Sequence, residues 1–225
     1  MLFRSVIGTD NKKSFLKVKN IYKFISKGKI NFCKPIEAEL IKLFENTYRD
    51  VNIALANEFK NISDKYSADF KLALNYANKH PRVNIHNSGI GVGGHCIPVD
   101  PWFLINNKIK NSLIYLSRKI NTNKTIQTLK VIEKKIQKIN KNKKILIFGV
   151  TFKENVSDIR NSPAYLIAKK ILDKYDNIKV YDPHNVKLNN ISFKNLRKTK
   201  FEYVFILVKH NKLPKINTNK VEILS

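Results

Sequence analysis

At Lys143 the hydrophobic period of this chain changes. Upstream, apolar residues recur at helical spacing, at Ile36, Leu40, Leu43, Phe44, Val51, Leu55 and Phe59, which predicts one long helix from Pro35 to about Tyr66. Pro35 suits its first turn, and Glu37 and Glu39 favour the positive end of its dipole. A second helical pattern covers Ala68 to Asn78 and stops before His80 and Pro81. A third runs from about Pro101 to Ile139, with Leu116, Ile120, Ile126, Leu129, Ile132 and Ile136 along one face. Downstream of Lys143 the pattern alternates. KKILIFG, NIKVYDP and EYVFILV read as strands, and Ser162 with Pro163 reads as the cap and first turn of a helix to about Lys174. Strand and helix in alternation predict an α/β fold, a helical domain followed by a Rossmann-like, doubly wound, mostly parallel sheet. In the first 34 residues SVIGT reads as a strand and Lys13 to Ser26 as a helix, with too few partners for a domain. Leu196 to Phe201 carries no assignment.

Composition excludes several classes. Hydrophobic residues make up 43% of the chain, enough for a sizeable core. No apolar stretch reaches the roughly 18 residues of a membrane span, and MLFRSVIGTDN lacks a signal-peptide core, so the reading is a cytoplasmic protein with no membrane partner. Cys33 and Cys96 have neither metal-type nor disulfide-type spacing, so no metal site is expected and both are read as reduced thiols. A net charge of +26 raises the question of nucleic acid, but the lysines are spread along the chain with no basic arm and no interleaved aromatics. No nucleic-acid partner is expected. Arginines are few, six in all, and an Arg where nearly every other cation is Lys marks a place that needs a planar, bidentate guanidinium. Arg49, Arg82 and Arg160 become candidates for phosphate or carboxylate contacts.

The segment GVGGHCIPVDP, from Gly91 to Pro101, places Cys96 in a glycine-rich turn with Asp100 four residues on. Glycines at 91, 93 and 94 permit positive φ and close approach of a ligand, while Pro98 and Pro101 stiffen the far side. An exposed nucleophilic thiol is one reading and a buried, inert one is the other. On the first long helix Lys42, Asn46 and Arg49 fall at i, i+4 and i+7, on one face. Lys42 there is a general base or an electrostatic anchor, Asn46 a neutral donor, and Arg49 an anion contact; a solvated polar stripe is the alternative. His80, Arg82 and His86 lie in the loop that leads into the cysteine turn, where an anion can be held. Phe152 and Lys153 follow a strand end, and Arg160 precedes the helix at Ser162, the positions where open α/β sheets bind ligands. Gly149 alone makes no G-x-G-x-x-G fingerprint.

Three ordered segments, KPIEAELIKLFENTYRDVNIALANE, HPRVNIHNSGIGVGGHCIPVDPWF and FGVTFKENVSDIRNSPA, resemble the nucleotide-sugar 6-dehydrogenases, the UDP-glucose/GDP-mannose dehydrogenase family. The cysteine loop is most like that of members acting on UDP-N-acetyl-D-mannosamine; UDP-glucose, UDP-N-acetylglucosamine or a non-catalytic UDP-sugar-binding role are the alternatives. The resemblance implies a four-electron, NAD-dependent oxidation of the sugar C6 alcohol to a carboxylate, for surface polysaccharide synthesis. It makes Cys96 the nucleophile that carries a thioester, Lys42 and Asn46 its proton-transfer and oxyanion partners, and Asp100 the carboxylate that assists water. It makes Lys42, Asn46, Arg49, His80, Arg82, Gly93, Phe152 and Lys153 contacts to the UDP-sugar substrate, and Arg160 a contact to the cofactor, NAD. It implies a homodimer through the central helices, with the loop arginine reaching across.

The domain reading that follows is 1–34 as the remnant of an NAD-binding domain, 35–115 as a central all-helical catalytic and dimerisation domain, 116–142 as a linking helix, and 143–225 as a UDP-sugar-binding α/β domain. The family's glycine-rich NAD-binding domain has no counterpart in these residues. The isolated chain is therefore expected to fold with little dehydrogenase activity, and a separately encoded NAD-binding domain becomes a candidate partner.

Overall fold

A computed structural model describes residues 5–105, 111–184, 186–211 and 213–224. The backbone divides into two compact units, Met1–Tyr48 and Arg49–Ser225.

In the first unit, strand β1 (Ser5–Gly8), helix α1 (Lys12–Tyr22) and strand β2 (Ile30–Cys33) form a β-α-β turn with the strands parallel, Ser5 opposite Ile30 and Gly8 opposite Cys33. Asn11 caps α1 by accepting from the Ser14 amide at 2.8 Å, and Phe15 packs edge-on to Phe32 with ring centroids 5.2 Å apart. The expected strand at SVIGT and helix within 13–26 are both present, and β2 is a strand beyond them. INFC is a strand whose four residues, between lysines, are too short to signal by period. Helix α2 (Pro35–Lys65) begins in this unit, where the Lys34 amide donates to the Glu37 carboxylate at 2.9 Å, and its later turns belong to the second.

In the second unit, α3 (Phe70–Ala77) is capped by Asp69. The third helix is shorter than expected: Asp100–Leu104 is a 3₁₀ turn, residues 106–110 lie outside the described residues, and α4 is Leu113–Ile136, capped by Ser112. The packing of α2 also departs from its sequence pattern. Leu55 and Phe59, expected to face inward, are exposed, whereas Asp50, Ala54 and Asn57 are buried. The cause is polar pairing with α4. The Arg118 guanidinium donates to Asp50 Oδ1 at 2.5 Å, the Asn121 amide donates to the same oxygen at 2.9 Å, and Asn57 donates to Asn121 Oδ1 at 3.2 Å. Burial pushes the Asp50 carboxyl up, opposed by the Arg118 charge and by hydrogen bonds from Arg118 and Asn121. Removing one partner of such a buried pair typically costs about 3–5 kcal/mol, because the other charge is left without compensation.

From Ile145 onward a four-stranded parallel sheet forms, in the order β4 (Ile178–Tyr181), β3 (Ile145–Phe148), β6 (Tyr203–Ile206), β8 (Val221–Ile223). Side chains alternate between its faces. Ile145, Ile147, Val180 and Phe205 pack with Ile132 and Ile136 of α4 and with Ile167 and Ile171 of α5 (Pro163–Leu172). Leu146, Phe148, Val204 and Ile206 pack with Leu196 of α6 (Phe193–Lys198) and with Phe201. Both faces are covered, so the doubly wound reading holds and near-continuous apolar strands are accounted for. The unassigned segment at 196–201 is the end of α6 and the two-residue strand β5 (Lys200–Phe201), which pairs with β7 (Asn217–Thr218). At the end of β3 the chain turns at Gly149, φ +76°, where a Cβ would meet the Val208 carbonyl oxygen at 2.1 Å. This turn delivers residues 150–155 to the carboxyl end of the sheet.

Candidate active site

The approach to the cysteine turn has no regular structure, and its backbone is satisfied by side chains of the helices around it. Asn52 accepts from the His86 amide at 2.9 Å and donates to the Asn84 carbonyl at 3.0 Å. Asn78 bonds both backbone groups of Ile85, at 2.8 and 2.9 Å. Asn57 accepts from the Gly89 amide at 3.0 Å, and the Thr125 hydroxyl donates to the Ile90 carbonyl at 3.0 Å. This polar rail explains why α2 and α4 bury Asn and Thr.

The turn itself docks on the loop after β3. Gly91 and Gly94 have φ of +135° and +96°, as expected, but Gly93 does not adopt positive φ. Its requirement is space: a Cβ on Gly93 would meet Pro163 Cδ at 2.7 Å, the Asn161 carbonyl oxygen at 2.8 Å and Phe152 Cβ at 3.0 Å. The Gly94 amide donates to the Arg160 carbonyl at 3.0 Å, and the Asn161 side chain donates to the Gly94 carbonyl at 3.0 Å. Beyond this anchor the Cys96 carbonyl accepts from the amides of Val99 and Asp100, at 2.9 and 2.8 Å, so the thiol and the carboxylate share one tight turn. Cys96 is exposed, with Sγ 3.6 Å from His95 Nδ1, which excludes the buried, inert reading.

Arg160 is exposed and pairs with Asp158, its Nη2 2.6 Å from Oδ2. Hydrogen bonds from the Arg160 side chain and backbone hold the Asp158 carboxyl below its usual range. The Asp158 hydrogen bond and charge raise Arg160, and the Cys96 side acts on it in the same direction. Phe152 and Lys153 line a cavity of about 240 Å³ with Gly89, Gly91, Ala164 and Val208, at the carboxyl ends of β3 and β6 and beside the start of α5. The second unit therefore brings Gly93, Cys96, Asp100, Phe152, Lys153 and Arg160 to adjoining stretches of backbone. Arg49, His80 and Arg82 lie in the same unit, with the Arg82 amide donating to His80 Nδ1 at 3.3 Å. Burial and, less strongly, the Arg49 charge push the His86 imidazole down. Lys42 and Asn46 belong to the first unit, where the lysine donates to Asn46 Oδ1 at 3.5 Å. Asn57, Asn161 and Asp158 were not legible as site residues; of these only the D-x-R spacing of Asp158 and Arg160 is a signal.

Two models of the UDP-glucose/GDP-mannose dehydrogenase family match the chain, the central domain over residues 36–124 and the UDP binding domain over 146–224. A UDP-N-acetyl-D-mannosamine dehydrogenase of Methanococcus maripaludis is 45% identical over 180 residues, 80% of this chain and 42% of that protein. One of Campylobacter jejuni is 36% identical over 213 residues, 89% of this chain and 52% of its own. The structure of the UDP-N-acetyl-mannosamine dehydrogenase of Staphylococcus aureus superposes with a TM-score of 0.82 at 34% identity, covering 98% of this chain and 54% of that one. The two matched domains coincide with the helical segment and with the doubly wound sheet described above. The chain belongs to the UDP-glucose/GDP-mannose dehydrogenase family. It spans about half the length of the curated relatives it matches.

Proposed function

We propose that this chain is the substrate-binding, thiol-bearing part of a UDP-N-acetyl-D-mannosamine 6-dehydrogenase, forming UDP-N-acetyl-D-mannosaminuronate for surface polysaccharide in the cytoplasm. The observation that carries the reading is the docking of the Cys96 turn, through Gly93 and Gly94, on the loop that presents Phe152 and Lys153 to the cavity. In this reading residues 1–34 belong to an NAD-binding domain, 35–115 to the central domain, 116–142 to a linking helix and 143–225 to the UDP-sugar domain.

NAD is the cofactor expected of this family, and two molecules of it, one for each oxidation, would each accept one hydride when bound. β1 ends on a single glycine, Gly8, whose Cβ position is already filled by Ala38 and Pro35 at 2.8 Å, and the connection to α1, Thr9 to Asn11, holds none. That turn does not cradle a diphosphate, and Arg160 is the residue here that would meet an edge of the cofactor. The chemistry assigned to this chain is that of its own groups. The Cys96 sulfur adds to the C6 aldehyde carbon, the C=O π bond opens, and the thiol proton ends on the new hydroxyl. After the second oxidation water adds to the thioester carbon, the C–S bond breaks with thiolate as leaving group, and Asp100 takes the proton from water. Lys42 takes the proton that the C6 hydroxyl releases on oxidation or stabilises the C6 oxyanion by its charge, with Asn46 as a neutral hydrogen-bond donor, while Arg49, His80 and Arg82 hold the sugar nucleotide, Arg82 from across a homodimer. Lys153 and the start of α5 offer positive charge to the diphosphate.

The test is NADH formation by purified protein with UDP-N-acetyl-D-mannosamine, alone and with a separately supplied NAD-binding domain of a relative. The expected result is activity only in the second mixture and none there with Cys96→Ala. Activity that survives Cys96→Ala overturns the assignment of the thiol, and its absence in both mixtures despite correct folding favours a non-catalytic UDP-sugar-binding role.

A further inference from the structure

At the carboxyl ends of β3, β4 and β6 two ionisable side chains are buried together, Asp182 at 0% and His210 at 2% exposure. Neither takes part in the thiol chemistry or the substrate contacts proposed for this chain. Their bonds fix the imidazole tautomer. The Asn155 amide donates to His210 Nδ1 at 2.9 Å, so Nδ1 holds a lone pair and the ring proton sits on Nε2. Nε2 lies 3.1 Å from Asp182 Oδ2 and 3.3 Å from the Thr151 hydroxyl, whose own proton goes to the Lys153 carbonyl at 2.9 Å. Asp182 Oδ2 also accepts from the amides of Val150 at 2.7 Å and Thr151 at 3.3 Å, and its Oδ1 accepts from the His184 amide at 2.9 Å. The loop from Val150 to Asn155 is thus gripped at its entry by Asp182 and at its exit by His210. Asn155, at φ +58°, adds a second bond at the exit by accepting from the Asn211 amide at 2.9 Å. Between the two grips stand Phe152, against Gly93 and Gly94, and Lys153, in the cavity wall.

We propose that His210 is a positioning residue for the nucleotide end of the site: its neutral imidazole, oriented by Asp182, latches the Asn155 amide and so fixes the Phe152–Lys153 loop. This rests on the reading that the cavity beside Lys153 takes the UDP group. Only the neutral ring serves, because a proton on Nδ1 would set two N–H donors head to head.

Two substitutions separate the grips. The Oδ1 of His210→Asn reaches the place of Nδ1 and keeps the Asn155 acceptor, whereas the side-chain nitrogen of His210→Gln reaches the place of Nε2 and keeps only the Asp182 bond. UDP binding by calorimetry and amide exchange at Asn155 are measured for both and for the parent chain. The expected result is parent-like affinity and exchange in His210→Asn, and in His210→Gln faster exchange with affinity lower by roughly five- to tenfold, the order of one net hydrogen bond. Equal behaviour of the two variants overturns the proposal. Nitrogen-15 labelling of histidine in the parent chain gives an arm that needs no variant to fold: an unprotonated Nδ1 at His210 is expected, and the opposite tautomer overturns the latch. A parent chain that binds no UDP yet shows the exchange pattern at Asn155 sinks the functional reading and leaves the latch standing.

Discussion

Gly94 lies against the ring of Phe152: a Cβ there would meet Cε2 at 3.0 Å and Cδ2 at 3.2 Å, at a φ of +96° that L side chains rarely adopt. The cysteine turn and the loop after β3 therefore fit each other only without a side chain at this position. Gly94→Ala is predicted to destabilise the folded chain by about 1–3 kcal/mol through strain and overpacking. Urea unfolding measures it, with a lower midpoint at unchanged slope as the expected outcome; a midpoint equal to the parent's would mean that the turn is not docked as described.

How far this docking could be read in advance depends on the residue. The turn announced itself, because Gly, Cys, Pro and Asp at close spacing have few other uses, and the parallel strands announced themselves as apolar runs buried on both faces. The polar rail did not. Asn52, Asn57 and Thr125 sit among helical positions that read as solvated, since the pattern records side-chain polarity and not the unpaired backbone of residues 84–91 that these side chains satisfy. For the same reason the apolar period puts Leu55 and Phe59 on the packed face of α2, which Asp50 and Asn57 in fact occupy. The strands β2 and β8 leave no signal in the sequence, because three or four residues between lysines or polar turns give period-2 alternation nothing to repeat.

The outward apolar stripe has its own consequence. Leu113 and Leu116 of α4 are 69% and 44% exposed, and with Val51, Leu55 and Ile120 they line an open groove. A homodimer through the central helices would cover it. Leu116→Glu is predicted to weaken self-association on the order of a hundredfold while leaving the circular dichroism spectrum unchanged, read by sedimentation equilibrium. A parent chain that sediments as a monomer at every concentration removes this assignment.

Lys135 of α4, Glu222 of β8 and Tyr203 of β6 form a clasp, with Lys135 Nζ 2.5 Å from Glu222 Oε1 and the Tyr203 hydroxyl 2.5 Å from Oε2. Burial, then the hydrogen bond to Glu222 and its charge, push the Tyr203 phenol up to about 12. Burial alone would raise Glu222, but the hydrogen bonds from Lys135 and Tyr203 and the nearby lysine charges together hold it down. A phenol raised on folding stabilises the native state fully below its ordinary value of 10.0 and loses that contribution as pH climbs through about 12. Glu222, lowered on folding, contributes above its ordinary value of 4.5 and loses its share as pH falls through the depressed one. Tyr203→Phe is therefore predicted to flatten the alkaline fall in unfolding free energy by on the order of 2 kcal/mol, and to shrink the acid-side contribution of Glu222, which loses the Tyr203 hydrogen bond but keeps the one from Lys135. An alkaline limb identical in the two proteins would show that the clasp does not form.

The central claim joins the Cys96 thiol to a UDP-sugar site, and alkylation tests it on the chain as it stands. Iodoacetamide labelling of Cys96 and Cys33 is followed by peptide mass spectrometry with UDP-N-acetyl-D-mannosamine, UDP or free N-acetylmannosamine present. UDP-N-acetyl-D-mannosamine is predicted to slow labelling of Cys96 and not of Cys33, UDP to protect less, and the free sugar not at all. Labelling of Cys96 at the same rate with and without saturating UDP-sugar would contradict the account.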